Sequence, residues 1–172
     1  MPNTPRKRII AAPVLTIVLA GCTPAAEPAP SSGDVVMGHS AEVTAVIDGD
    51  TIEIWAAGGT ERVRIIGIDT PEIGRDGAAD ECYAQEAREY VNAALYGRTV
   101  TIYPDTSQDD VDRYGRLLRH VLVDDRSIAK EAIAAGMGYE YTYDEPYGGQ
   151  DAYKAAQEAA AAAGAGLWSA CK

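Results

Sequence analysis

From residue 42 the chain alternates. Val43, Ala45 and Ile47 interleave with Glu42, Thr44 and Val46, the two-residue period of a β-strand. Asp48-Gly49 is a hairpin signal, and a second strand is predicted over residues 51–57. Gly58-Gly59 marks the next turn, ahead of a third strand over about residues 61–68, so three strands form a meander. The period then changes. Over residues 80–96, Ala87, Val91, Ala94 and Leu95 fall at helical spacing, and Gly97 suits the left-handed position past a helix end. Strands follow at residues 99–103 and 117–123. Ser127 is placed to cap a short helix carrying Ile128, Ala132 and Ile133, which Gly136 ends, and an alanine-rich helix is predicted over residues 151–163. The fold class is α+β, mainly β: a five-stranded barrel of the OB type packed with about three helices.

The amino terminus does not belong to that pattern. Arg6, Lys7 and Arg8 precede an apolar stretch over residues 9–18, and Leu19-Ala-Gly-Cys22 closes it. The stretch is too short for a membrane span and reads as an export signal over residues 1–21. Leu-Ala-Gly-Cys resembles a bacterial lipobox, which implies acylation of Cys22 and a lipid anchor at the extracytoplasmic face of the cell envelope. The alternative is an ordinary secretory signal that contains a cysteine. Residues 22–40 are rich in Pro, Ala, Ser and Gly and predict a flexible stalk. Residues 41–172 remain as one domain.

Composition adds two constraints. Removing the three cations of the signal takes the net charge from −11 to −14, so long-range electrostatics oppose a polyanion and no basic stripe exists to bind one. With Cys22 set aside, Cys82 and Cys171 form an even pair in an oxidising compartment. They are expected to be bridged, the alternative being two free thiols. No histidine pair accompanies them, so a zinc site is not expected. His120, in an apolar strand, is expected to be packed and hydrogen-bonded.

Three charged clusters carry the candidate chemistry. In VIDGDT, residues 46–51, Asp48 and Asp50 flank a glycine at a turn, where short carboxylates are free to meet a hard cation; turns also favour Asp and Gly for conformational reasons alone. In residues 62–72, RVRIIGIDTPE, an apolar strand ends in Asp69, Thr70, Pro71 and Glu72. Arg64 lies inside that strand, where an unpaired charge costs several kcal/mol. It is therefore either ion-paired or aimed at a phosphate. Alternation puts Arg64 and Asp69 on opposite faces, so bringing them together requires a bend near Gly67. The third cluster, DRYGR over residues 112–116, supplies Arg113, Arg116 and the ring of Tyr114.

Taken jointly, VIDGDT, RIIGIDTPE, DRYGR and the closing GLWS resemble the thermonuclease, or staphylococcal nuclease, family, in its order and at compatible spacings from Val43 to Ser169. The resemblance implies a calcium-dependent endonuclease that cuts DNA and RNA to 3′-phosphate products. It implies that Asp50, Asp69 and the Thr70 carbonyl hold Ca2+, with Asp48 nearby but not ligating. Glu72 is then the base or water-positioner, and Arg64 and Arg116 stabilise the charge of the transition state. Arg113, Tyr114, Tyr141 and Tyr143 are candidate substrate contacts, since aromatic faces stack on bases of any sequence. Alternation places Tyr139, Tyr141 and Tyr143 on one face, and Trp168 is expected to bury its ring on the barrel.

The chain departs from the family pattern in its charge. Residues 73–81 carry Arg75 against Asp76, Asp80 and Glu81, and the segment after Tyr139 ends in Asp144 and Glu145. A short or single-stranded nucleic acid is therefore the expected partner. The alternative is a nuclease fold with little or no activity, kept as a tethered calcium-binding or protein-interaction module.

Overall fold

The computed structural model describes residues 37–171. The expected export signal, Cys22 and the stalk up to residue 36 lie outside the described residues.

The meander forms as the alternation dictates: β1 (His39–Val46), β2 (Thr51–Ala56) and β3 (Gly59–Ile65) pair antiparallel in sequence. Two adjustments concern ends. His39 and Ser40, assigned to the stalk on composition, open β1 because they pair with Ile102 and Thr101. The third strand does not run through to Ile68. It breaks at Gly67, whose φ is +87°, and resumes as β4 (Gly67–Asp69) on a different partner.

Helix α1 (Ala84–Leu95) buries Ala84, Ala87, Val91 and Leu95. It starts later than the expected residue 80 because the acids ahead of it serve a loop. Gly74 N donates to Asp80 Oδ1 at 2.8 Å, and Glu81 N donates to Glu72 O at 3.0 Å. Strands β5 (Thr99–Tyr103) and β6 (Leu117–Val123) extend the sheet beyond β1, and β6 pairs in parallel with β3. That last pairing closes a five-stranded mixed barrel in the order β3-β2-β1-β5-β6. Inside it Val43, Ile52, Ile54, Val63, Ile65 and Ile102 are shut off from water, each contributing about 1.5–3 kcal/mol of transfer free energy.

A two-residue strand, β7 (Arg126–Ser127), leads into α2 (Ile128–Ala134), with Ser127 Oγ accepting from Lys130 N at 3.2 Å as its cap. Strand β8 (Tyr139–Tyr141) pairs with β4, and α3 (Gln150–Ala163) and a single turn, α4 (Leu167–Ala170), complete the chain. His120 Nε2 lies 2.8 Å from Asp105 Oδ2, its ring stacked on Tyr103. Among the described residues no helix is long and apolar enough to cross a membrane.

Cys82 and Cys171 are bridged, 89 residues apart, tying the end of α4 to the approach to α1. Converting both to serine is expected to lower unfolding free energy by about 4–5 kcal/mol through the freed loop entropy of the unfolded chain. Denaturant unfolding checks this; a loss below about 1 kcal/mol would make the bridge energetically idle.

Candidate active site

The bend at Gly67 assembles the centre. Because the chain turns there, Arg64 on β3 and Asp69 on β4 meet, with Arg64 Nη2 2.9 Å from Asp69 Oδ1. The same nitrogen lies 3.1 Å from Asp50 Oδ2. The other arm of Arg64 donates to the carbonyls of Ile65 and Ile68, so backbone and carboxylates together fix the guanidinium plane.

Asp50 stands at the end of the β1–β2 turn and is 1% exposed. Its Oδ2 accepts from Thr70 N at 3.2 Å and its Oδ1 from Thr51 Oγ1 at 2.9 Å. Burial pushes Asp50 up to about 7 against the pull of Arg64, and the neighbouring Asp48 adds to the rise. Gly49 between the two acids has an ordinary φ; what it supplies is room. A Cβ there would sit 2.7 Å from Thr70 Cγ2, so the glycine lets the turn close onto Thr70. Asp48 is also buried and is held by Arg75 Nη2 at 3.2 Å.

Arg116 is anchored from two sides. Its Nε donates to Asp112 Oδ2 at 2.7 Å and its Nη1 to Thr51 Oγ1 at 3.1 Å. Asp112 Oδ1 accepts from the backbone N–H of Tyr114 and of Arg116, both at 2.9 Å, so the loop is wound round one carboxylate. Thr51 therefore links Arg116 to Asp50, and through it to Arg64. Tyr114 lies beneath Arg113 and Arg116, whose guanidinium carbons stand 4.7 and 5.3 Å from its ring centre, and Arg113 donates to its hydroxyl at 2.6 Å.

A cleft of about 430 Å³ runs along this face. Arg64, Asp69, Glu72 and Arg116 line it, as do Arg113, Tyr114, Tyr141 and Tyr143. Asp48, Asp50 and Thr70 are not on its wall; they lie buried behind it. Tyr141 reaches the cleft because β8 pairs it opposite Gly67, which leaves its ring 5.8 Å from the Arg64 guanidinium. Tyr139 shares its strand face but not its surroundings: its ring meets Trp168 edge-on at 5.3 Å, away from the cleft. Trp168 is half-buried there, with its indole N–H unpartnered. Glu72 is exposed, and desolvation of its carboxylate, with the charges of Asp48 and Asp69, raises its pKa against the opposing Arg75.

The donor set at the centre is rich in oxygen. No three acidic, histidine or cysteine side chains among the described residues cluster closely enough to hold one by themselves. The centre nevertheless holds a buried polar atom with nothing to satisfy it, Thr70 Oγ1, beside the buried carboxylate of Asp50. Two carboxylates, Asp50 and Asp69, with the Thr70 carbonyl fit a hard divalent cation, which takes oxygen ligands and completes its shell with water.

Three residues that this geometry makes important were not singled out from sequence: Thr51, Asp112 and Tyr147. Asp112 alone had a local signal, an acid four residues before an arginine across a Gly-containing turn.

Residues 62–170 match the family described as Staphylococcal nuclease homologue. The chain is 36% identical over 116 residues to the Thermonuclease of Staphylococcus intermedius, covering 65% of this chain and 68% of that protein. It is 32% identical over 121 residues to the Thermonuclease of Staphylococcus hyicus, covering 68% and 70%. An uncharacterized endonuclease of Escherichia coli O157:H7 is 30% identical over 128 residues, covering 74% and 75%.

Proposed function

The chain belongs to the staphylococcal nuclease homologue family and is a hydrolase of phosphodiester bonds, and we propose that it is a calcium-dependent nuclease leaving 3′-phosphates on DNA and RNA. The observation that carries the finer reading is the meeting of Arg64, Asp69, Glu72 and Arg116 on one cleft. A module that only bound calcium would need Arg64 to compensate the buried Asp50, but would have no use for Arg116 on the same cleft.

Each residue then has a step. Glu72 orients a water and accepts its proton as the oxygen attacks phosphorus; the bond from phosphorus to the 5′ oxygen breaks, that oxygen takes a proton from water and departs as a 5′-hydroxyl, and phosphate stays on the 3′ side. Arg64 and Arg116 donate to the non-bridging oxygens, where negative charge grows. Being held in advance by carboxylates, hydroxyl and carbonyls, they need no reorganisation at the moment of reaction. Asp50, Asp69 and the Thr70 carbonyl would hold calcium, which would supply further positive charge to the reaction. Tyr114, Tyr141 and Tyr143 offer ring faces to bases, and Arg113 a donor to a flanking phosphate.

Glu72→Gln tests the base. The substitution is expected to lower kcat about 100-fold and to abolish the acid limb of the pH–rate profile. The sign follows from the role: a base must be deprotonated, so the parent rate falls as pH drops through the raised pKa of Glu72. A variant that keeps the acid limb assigns it to another group.

The substrate is short or single-stranded. Asp109, Asp144 and Glu145 also line the cleft, on two loops joined by Gln108 Nε2 to Glu145 O at 2.8 Å and Gly148 N to Asp105 Oδ2 at 2.7 Å. They repel a phosphate chain extending past the reacting bond. For a long single strand, kcat/KM is expected to rise about threefold or more as the screening length falls from ~30 Å to ~8 Å between 0.01 and 0.15 M salt. A tetranucleotide should change little. A fall with salt for the long strand, the usual counterion-release behaviour, would remove the repulsive role. The basic start, apolar stretch and Leu19-Ala-Gly-Cys22 further support export and a lipid anchor, and the disulfide suits an oxidising compartment.

A further inference from the structure

Everything at the centre depends on the bend at Gly67, and the side chain that holds it has no part in the chemistry above. Gly67 takes φ +87°, and a Cβ there would sit 2.8 Å from Tyr147 and 2.7 Å from Tyr153. The two buried rings meet edge-on, 5.3 Å between centres, and press on the glycine together. Their hydroxyls differ. Tyr153 Oη pairs with Ser127 Oγ at 2.6 Å, far from the site along the chain. Tyr147 Oη lies 3.3 Å from Gly67 O and 3.1 Å from Glu140 Oε1, sharing its one proton between them.

Glu140 is itself tied down. It sits on β8 opposite Ile68, its carboxylate accepts from Thr142 Oγ1 at 2.6 Å, and its N–H donates to Gln157 on α3 at 2.8 Å. Tyr147 thus bridges the first residue of β4 to the strand that β4 pairs with. Two residues further along β4 is Asp69, which holds Arg64 and is a proposed calcium ligand; opposite Gly67 is Tyr141.

We infer that Tyr147 is a positioning residue of the nuclease centre: its hydroxyl clamps Gly67 to Glu140 and so sets where Asp69 and Arg64 stand. This rests on the reading of the cleft as a nuclease site. A clamp of this kind matters because a misplacement of about 1 Å far from the reacting atoms can cost up to ~100-fold in rate. The bend itself is enforced by the two rings and by the lack of a Cβ. The hydroxyl fixes only its final placement, and its removal need not unfold the domain.

The experiment compares Tyr147→Phe with Tyr153→Phe in the full chain. Each variant keeps its ring against Gly67 and loses one buried hydroxyl. Melting temperature, kcat and KM on a short oligonucleotide, and calcium affinity by calorimetry are measured for both. Tyr147→Phe is expected to lower kcat about tenfold and weaken calcium binding about threefold or more, with KM little changed. Tyr153→Phe is expected to cost at least as much thermal stability while leaving kcat and calcium affinity within about twofold. Equal losses in the two variants, tracking melting temperature, would overturn the inference, as would a Tyr147→Phe protein with parental kcat and calcium affinity. If the parent protein cleaves nothing, the nuclease reading fails, and the calcium measurement still decides whether Tyr147 positions Asp69.

Discussion

Replacing Arg116 with alanine is expected to lower kcat by about 10²- to 10³-fold, the cost of losing one preorganised donor to developing charge, while leaving melting temperature and calcium affinity nearly unchanged. Arg116 supports little of the structure around it. Its loop is wound on Asp112 through the backbone N–H groups of Tyr114 and Arg116, which the substitution leaves in place. The ion pair it loses lies in a turn and is partly solvated; exposed pairs are worth about 0.2–1 kcal/mol. Its bond to Thr51 leaves a hydroxyl still served by Asp50. Arg116→Lys should recover only part of the rate, since a point charge does not reproduce a planar fork. A large drop in stability with modest loss of turnover would make Arg116 an architectural partner of Asp112 instead.

Arg64→Ala is expected to lose turnover on the same scale and, unlike Arg116→Ala, to destabilise the fold. Arg64 is the one cation touching Asp50 among the described residues, and Asp50 is almost completely shut off from water. Breaking a buried pair from one side costs about 3–5 kcal/mol because the other charge is left uncompensated. Asp50 escapes part of that cost by keeping its proton, since burial already pushes it upward with Arg64 present. Denaturant unfolding and single-turnover cleavage on the same preparation check both halves. Unchanged stability would mean that water or a cation reaches Asp50 freely; unchanged turnover would remove Arg64 from the chemistry.

The contrast between the two arginines shows what a sequence carries and what it leaves out. Both were legible as candidates: Arg64 because a cation amid Val63, Ile65 and Ile66 demands a partner, and Arg116 because the DRYGR cluster completes the resemblance to the family. The bend at Gly67 was legible as a requirement, since alternation otherwise separates Arg64 from Asp69. Its cause was not, because the rings of Tyr147 and Tyr153 arrive from about 80 residues away. Strand β8 was legible only as the alternation that puts Tyr139 and Tyr141 on one face; its partner was not, since only the register with β4 makes these three residues a strand. Tyr139 shows the limit of face arguments. It shares a face with Tyr141, yet α4 brings Trp168 under one ring and the bend brings Arg64 under the other. Cysteine parity, by contrast, led directly to the Cys82–Cys171 bridge.

Cleavage of a defined short oligonucleotide by the purified protein, with calcium titrated in and then withdrawn by EGTA, tests the whole account most directly. Cleavage that rises with calcium, stops with chelator and leaves 3′-phosphate ends is the predicted result. Cleavage that survives excess EGTA contradicts the calcium centre at Asp50 and Asp69, and no cleavage at any calcium concentration contradicts the nuclease itself.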